Sequence, residues 1–218
     1  MPQGGSRAGR RTRERILELT LRLFNEFGEP NTTTSLIASE LEISPGNLYY
    51  HYRNKDEIVT ALCGEFEREM ARVLAVSGGP RVEIEDIWRQ MHDTFDVVWR
   101  YRFLYRDLND ILTRNRAVEV LFKRILELKG RAALLACERL CAAGEMSATR
   151  LERLALADNL VVVATYWLSY EYVRNPRELL GEAAIRRGAF QVLAIAAPHL
   201  KGRSKALFEK LAEKYLAE

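Results

Sequence analysis

Asn47, Tyr49, Tyr50 and His51 set an amide, two phenols and an imidazole almost in a row, directly after Ser44-Pro45-Gly46. None has a neighbour that would make it a nucleophile or a metal ligand. What they share is outward hydrogen bonding. Tyrosine and histidine can donate to phosphate oxygens, Asn47 can meet a base edge, and the Tyr50 ring can meet a thymine methyl. Leu48 and Tyr52 lie four apart and turn the other way, where they can close a small core with Ile37, Leu41 and Ile43. Gly46 lets a backbone approach closely, and a helix N-terminus beside it favours a phosphate. A plain solvated face on a small helical bundle is the alternative, but this face has no acid, little charge and a glycine beside its start.

Those side chains need a short helix to hold them, and residues 32–58 contain three helix starts. Thr33 can cap a first helix over 34–42, its hydroxyl accepting from backbone N–H groups two or three residues on. Ser44 followed by Pro45 gives a second start, with proline where its missing N–H costs nothing. Asn54 with Glu57 three residues later resembles a capping box and opens a third. Two short helices joined by a tight turn form a helix-turn-helix, whose second member can lie in the major groove.

The run Thr33-Thr34, Ile37-Ala38, Ile43 to Tyr52 and Asn54-Lys55-Asp56-Glu57-Ile58 resembles the signature of the TetR family of bacterial transcriptional regulators, over residues 13–58. The resemblance implies phosphate contacts from Thr33, Ser44, Tyr49, His51 and Lys55, and base-edge contacts from Pro45, Gly46, Asn47 and Tyr50. It also implies a homodimer, a double-stranded DNA operator and a small-molecule effector. Glu42 departs from the pattern, which usually has glycine in the turn between the helices. A non-glycine residue there must accept a positive φ or reshape the turn.

At 218 residues, with 48% hydrophobic and 29% charged residues, the chain can bury a sizeable core and suits one small domain plus one larger one. A net charge of +3 does not by itself argue for nucleic acid. Its distribution does more: Arg7, Arg10, Arg11, Arg13 and Arg15 face one acid, Glu14, across the first fifteen residues. Residues 1–8 read as disordered, and the arginines over 7–15 open a first helix to about Phe27, whose Ile16, Leu19, Leu23 and Phe27 pack on the helix-turn-helix. The arginines read as a basic arm, with Arg10 and Arg11 as further DNA contacts, or simply as a solvated tail. No signal peptide or membrane span is present, and three cysteines, Cys63, Cys137 and Cys141, suit a reducing cytoplasm. His51, His92 and His199 are far apart, no phosphate-binding loop or nucleophile elbow occurs, and neither a metal nor a cofactor nor an enzymatic activity is implied.

The expected architecture is all-α: a DNA-binding head over 1–55, a connecting helix over 56–76, and a helical bundle over 77–218 after the Ser77-Gly78-Gly79-Pro80 break. Helices are expected over 83–101, 105–113, 117–141, after Ser147 to 174, over 179–197 and from Ser204. Aromatics concentrate in the bundle, and Trp88, Met91, Phe95, Trp99, Phe103, Phe122, Tyr166, Trp167 and Tyr170 are candidate walls of an effector pocket, with plain core as the alternative. Leu154, Val161 and Leu168, facing the small residues Ala184 and Gly188 and nearby Ile195, are the candidate dimer interface. The expected function is a repressor released from a pseudo-palindromic operator by an apolar or amphipathic effector. A ligand-binding or scaffold dimer with a vestigial head, or a DNA-binding activator, remain the alternatives.

Overall fold

The computed structural model describes residues 7–75, 84–175 and 181–216. These form eleven α-helices: α1 (Arg7–Phe27), α2 (Thr34–Glu40), α3 (Pro45–His51), α4 (Lys55–Leu74), α5 (Ile84–Arg100), α6 (Arg102–Arg106), α7 (Leu108–Arg114), α8 (Arg116–Ala142), α9 (Arg150–Arg174), α10 (Glu182–Ala196) and α11 (Gly202–Leu216). The only β-type pairing among the described residues is an isolated antiparallel bridge between Met146 and Leu200. Residues 1–6, the Ser77-Gly78-Gly79-Pro80 break and the Leu179 helix start lie outside the described residues, but Arg7 and Ala8 belong to α1 rather than to a free arm.

The chain divides into two compact units: Met1–Glu67 with Tyr101–Phe122, and Arg68–Arg100 with Lys123–Glu218. The division differs from the expected boundary, because α6, α7 and the first turns of α8 pack with the head. Phe103 shows why. It is fully buried against Phe24 of α1, with ring centroids 5.0 Å apart, and its backbone N–H donates to Asn25 Oδ1. That inward turn of Phe24 leaves Phe27, expected in the core, half exposed. Phe66 of α4 meets Tyr101, Tyr105 and Phe122, forming the aromatic centre of this unit. Asn115 ties α4 to α8: its amide donates to Asp56 O and Thr60 Oγ1, and its Oδ1 accepts from Val118 N–H at the start of α8. Cys63 is fully buried on α4, and burial pushes its thiol up to about 12.

The second unit is built around α5, α8, α9 and α10. Gly188 of α10 lies directly against Trp167 of α9. A Cβ there would meet Trp167 Cδ1 at 2.5 Å and Phe95 Cε1 at 2.9 Å. The same close approach lets Trp167 Nε1 donate to Ala184 O at 2.7 Å. Gly188→Ala is therefore expected to destabilise the chain by about 1–3 kcal/mol through overpacking, seen as a lower urea midpoint at an unchanged slope. Glu171, buried on α9, pairs with Arg187 of α10.

Several helix starts differ from the expected ones. Thr149, not Ser147, caps α9 in a reciprocal capping box with Glu152; Ser147 N–H instead donates to His199 O. Residues 105–113, expected as one helix, lie across α6 and α7, with Asp107 between them. Ser204, the expected start of the last helix, lies within α11 and donates its N–H to Glu145 Oε2 at 2.7 Å, so a distant carboxylate caps this first turn. Phe208 of α11 stacks on Phe190 and packs against the cluster of Cys137, Leu140 and Met146.

Candidate nucleic-acid interface and effector cavity

The reading head is set by local hydrogen bonds at each helix start. Thr33 Oγ1 accepts from Leu36 N–H at 3.1 Å and Ser44 Oγ from Asn47 N–H at 3.2 Å. A hydroxyl that accepts still has a proton to donate, so both caps remain able to meet a phosphate oxygen. Asn54 Oδ1 caps α4 through Glu57 N–H at 2.8 Å, while Glu57 reaches back to Arg53 N–H rather than to Asn54. Between α2 and α3, Glu42 adopts a φ of 56°, the only positive φ among described non-glycine residues. The glutamate takes the left-handed turn that glycine would take more cheaply, and the turn is kept rather than reshaped.

Below this surface, Leu48 and Ile37 are fully buried, Tyr52 nearly so, and Leu41 and Ile43 complete the small core. Arg13 of α1 covers Tyr52, with its guanidinium carbon 4.7 Å from the ring centroid and its Nε donating to the phenol oxygen at 3.1 Å. Burial raises the Tyr52 pKa, and the arginine's hydrogen bond and charge oppose that rise. Arg13 thus stays exposed while its guanidinium is engaged with Tyr52. Arg11 is exposed, and Arg10, also exposed, pairs with Glu14 one turn on.

The opposite face of α3 is turned to solvent. Pro45, Gly46 and Asn47 are exposed, Tyr49 is half exposed, and Tyr50 is 84% exposed with His51 edge-on beside it at 5.1 Å. Tyr49 Oη lies 3.1 Å from Thr34 Oγ1, bringing α2 and α3 together at this surface. A Cβ on Gly46 would meet nothing closer than Ser44 Oγ at 4.0 Å, and its φ is not positive. Nothing inside the protein requires glycine there; the bare backbone leaves room only for something outside.

Lys55 is placed less freely than expected. Its Nζ lies 3.0 Å from Oε1 of the fully buried Glu29, an ionic contact rather than an aligned hydrogen bond, and donates to Glu29 O at 2.9 Å. Glu29 also pairs with Arg114 of α7, which contacts Asp56 and Asp110. Glu29 N–H donates to Asp107 Oδ2 at 3.2 Å. One buried carboxylate thus holds the α1–α2 turn to α4 and α7, and this hub was not foreseen from the sequence.

In the second unit a cavity of about 150 Å³ opens among α5, α8, α9 and α10, a size that can hold a benzene-like molecule. Of the candidate wall residues, Met91 and Phe95 line it, as does Val161 from the candidate interface. The others do not. Trp88 packs edge-on to His92, Trp99 is partly buried elsewhere on α5, Phe103 and Phe122 belong to the head, and Trp167 serves the α9–α10 contact. Tyr166 and Tyr170 face solvent. The correction has a physical reason: aromatics fill space, and cavities form where side chains are short. Ala132, Ala133, Ala136, Ala164 and Ala196 supply that shortness here. Sequence reasoning also missed Gln90, Thr94 and Lys129 on the wall. The signal was present, because Phe122, Ile125, Lys129, Ala132 and Ala136 follow the three-four rhythm of one helix face, with a lysine among apolar residues.

The candidate interface residues are also redistributed. Leu168, Ala184 and Gly188 are buried within one chain, where the small residues let α10 close on α9, and Ile195 packs on the Cys137 cluster; Leu154 remains exposed. What α9 turns outward is another row, with Leu151 78% and Val173 76% exposed at its ends and Val162, Tyr166 and Tyr170 between.

A family model described as "Bacterial regulatory proteins, tetR family" matches residues 16–62, and one described as "Bacterial transcriptional repressor" matches residues 65–208. The chain belongs to the TetR family. This TetR-family chain is 32% identical to a TetR-family transcriptional regulator from Marinobacter aquaeolei VT8; the match covers 94% of this chain and 98% of that one, with a TM-score of 0.85. It is 26% identical over 99 residues to IcaR, the negative transcriptional regulator of the icaADBC biofilm operon of Staphylococcus epidermidis, a match spanning 45% of this chain and 46% of IcaR. It shares its fold with SmeT of Stenotrophomonas maltophilia, solved with triclosan, at 20% identity, a TM-score of 0.60 and coverage of 88% of this chain and 93% of that one. The TetR-family chain is accordingly a transcriptional regulator and not an enzyme. Among its described residues no helix is long and apolar enough to cross a membrane, and no group of metal-ligating side chains occurs.

Proposed function

We propose that this regulator is a homodimeric repressor that reads a pseudo-palindromic operator with α3 and leaves it when a small apolar or amphipathic molecule fills the cavity of the second unit. The outward face of α3 carries the reading: a glycine that the fold does not require stands between an exposed proline and an exposed asparagine, one turn from an exposed tyrosine. Thr33, Ser44, Tyr49, His51 and Lys55 position the head on phosphates, Arg10 and Arg11 extend that grip, and Pro45, Gly46, Asn47 and Tyr50 meet bases. The solvent-facing apolar row of α9 is the surface that a second copy covers. Two such copies place two α3 helices about one DNA turn apart, roughly 34–36 Å, or further. Helix α4 contributes residues to both units, so an effector that prefers one placement of it shifts the population away from the operator-bound state.

Selection of the purified protein on random and genomic duplexes, followed by anisotropy at two salt concentrations, tests the reading. The wild type should enrich a palindrome. Tyr50→Ala and Asn47→Ala should lose about 1–3 kcal/mol of discrimination against random duplex with their melting unchanged. Gly46→Ala is the sharper variant: it should hold or slightly raise stability, since alanine favours helix by up to ~1 kcal/mol, and still weaken operator binding. Weak, salt-sensitive and sequence-blind binding, equal in wild type and variants, would favour a ligand-binding dimer with a vestigial head.

A further inference from the structure

We propose that the cavity takes a small apolar acid, an apolar body carrying one anionic oxygen, and that Lys129 pairs with that oxygen. The proposal rests on the effector reading above and narrows it to a class of effector. The wall is alkyl and aromatic except at Gln90, Thr94, Cys137 and Lys129, and it contains no acidic side chain. Lys129 is the one basic residue on it and is buried. Gln90 Nε2 is already engaged with Val73 O, and Thr94 Oγ1 donates to Gln90 O. Gln90 thus ties α5 to α4 and Thr94 bonds back within α5, and the one positive charge on the wall comes from α8.

Electrostatics sets the sign of that selectivity. Burial lowers Lys129 from 10.5 to about 7, so near neutral pH its amine is divided between charged and neutral forms. A carboxylate beside it favours the ammonium and binds better for it; an alcohol gains little, and a second ammonium is repelled. A methionine at 129 would continue the wall without the charge.

Calorimetry on the full chain with octanoate, 1-octanol and octylammonium tests this, with Lys129→Met alongside. At pH 6.5 octanoate should bind the wild type at least about tenfold more tightly than 1-octanol, and octylammonium most weakly. In Lys129→Met the preference for octanoate should vanish while 1-octanol binding stays within about twofold, which shows that the cavity is intact. Octanoate affinity should also fall by up to about tenfold per pH unit above pH 7 as the amine loses its proton. Octanoate is ionised throughout that range, and Cys137, the other titratable residue on the wall, is pushed up to about 11 and stays neutral. Equal affinity for octanoate and 1-octanol, or a preference that survives Lys129→Met, would overturn the acid and leave the cavity as an apolar effector site. Failure of all three probes to bind the wild type would overturn the effector reading together with the acid.

Discussion

Replacing Glu29 with alanine should destabilise the head by about 3 kcal/mol. The carboxylate is fully buried and is shared by Lys55 and Arg114, and the ion pair is supplemented by Lys55 donating to the Glu29 carbonyl. Removing it leaves two cations that were arranged around one negative centre. Both keep some contact with water, which places the effect near the lower end of the range for breaking a buried pair. Lys55 and Arg114 lie on different helices, and Glu29 itself lies in the turn that leads into α2. The loss is therefore one of position as well as stability: Glu29→Ala, measured below its melting temperature, should bind operator more weakly although Glu29 is fully buried. Glu29→Gln keeps the shape and half of the hydrogen-bonding capacity and should fall between the two. Urea unfolding and anisotropy on the three proteins check this. A Glu29→Ala variant with wild-type stability would show that the cations rehydrate freely and that the hub holds nothing.

Lys129→Met should raise stability, on the order of 5 kcal/mol at pH 6, and the gain should shrink as pH rises. The sign follows from proton counts. The folded chain holds the Lys129 proton only below about pH 7, whereas the unfolded chain holds it up to about 10.5. Between those values the unfolded state binds the extra proton, so wild-type stability climbs with pH relative to a variant that has no amine. Below pH 7 the full burial penalty is present, and the methionine variant avoids it. Urea midpoints of the two proteins at pH 6, 7.5 and 9 should converge as pH increases. A constant separation across that range would mean that the gain came from packing alone.

The head was legible in the sequence because its instructions are local. A capping hydroxyl acts on an N–H three residues away, so Thr33, Ser44 and Asn54 could be placed without knowing what packs around them. At Glu42 the resemblance left two outcomes, a positive φ or a reshaped turn, and the chain takes the positive φ. The cavity was not legible, because it is defined by what five alanines on three helices leave empty between them, and no window of sequence contains that. Aromatic residues misled for a related reason: Phe103 and Phe122 lie far along the chain from the head yet complete its core through contacts with Phe24 and Phe66. The small residues of α10 form a close-packing surface, and α9 of the same chain closes on them.

Cys63 and Cys137 are each buried, one in each unit, with thiols held protonated at neutral pH. A thiol-labelling reagent meets them only when the surrounding packing opens, so the rate at which each is modified counts the openings of its own unit. The two cysteines therefore act as clocks already installed in the chain. Mass spectrometry of the labelled peptides would time the head and the second unit separately, in one tube and without introducing a new cysteine.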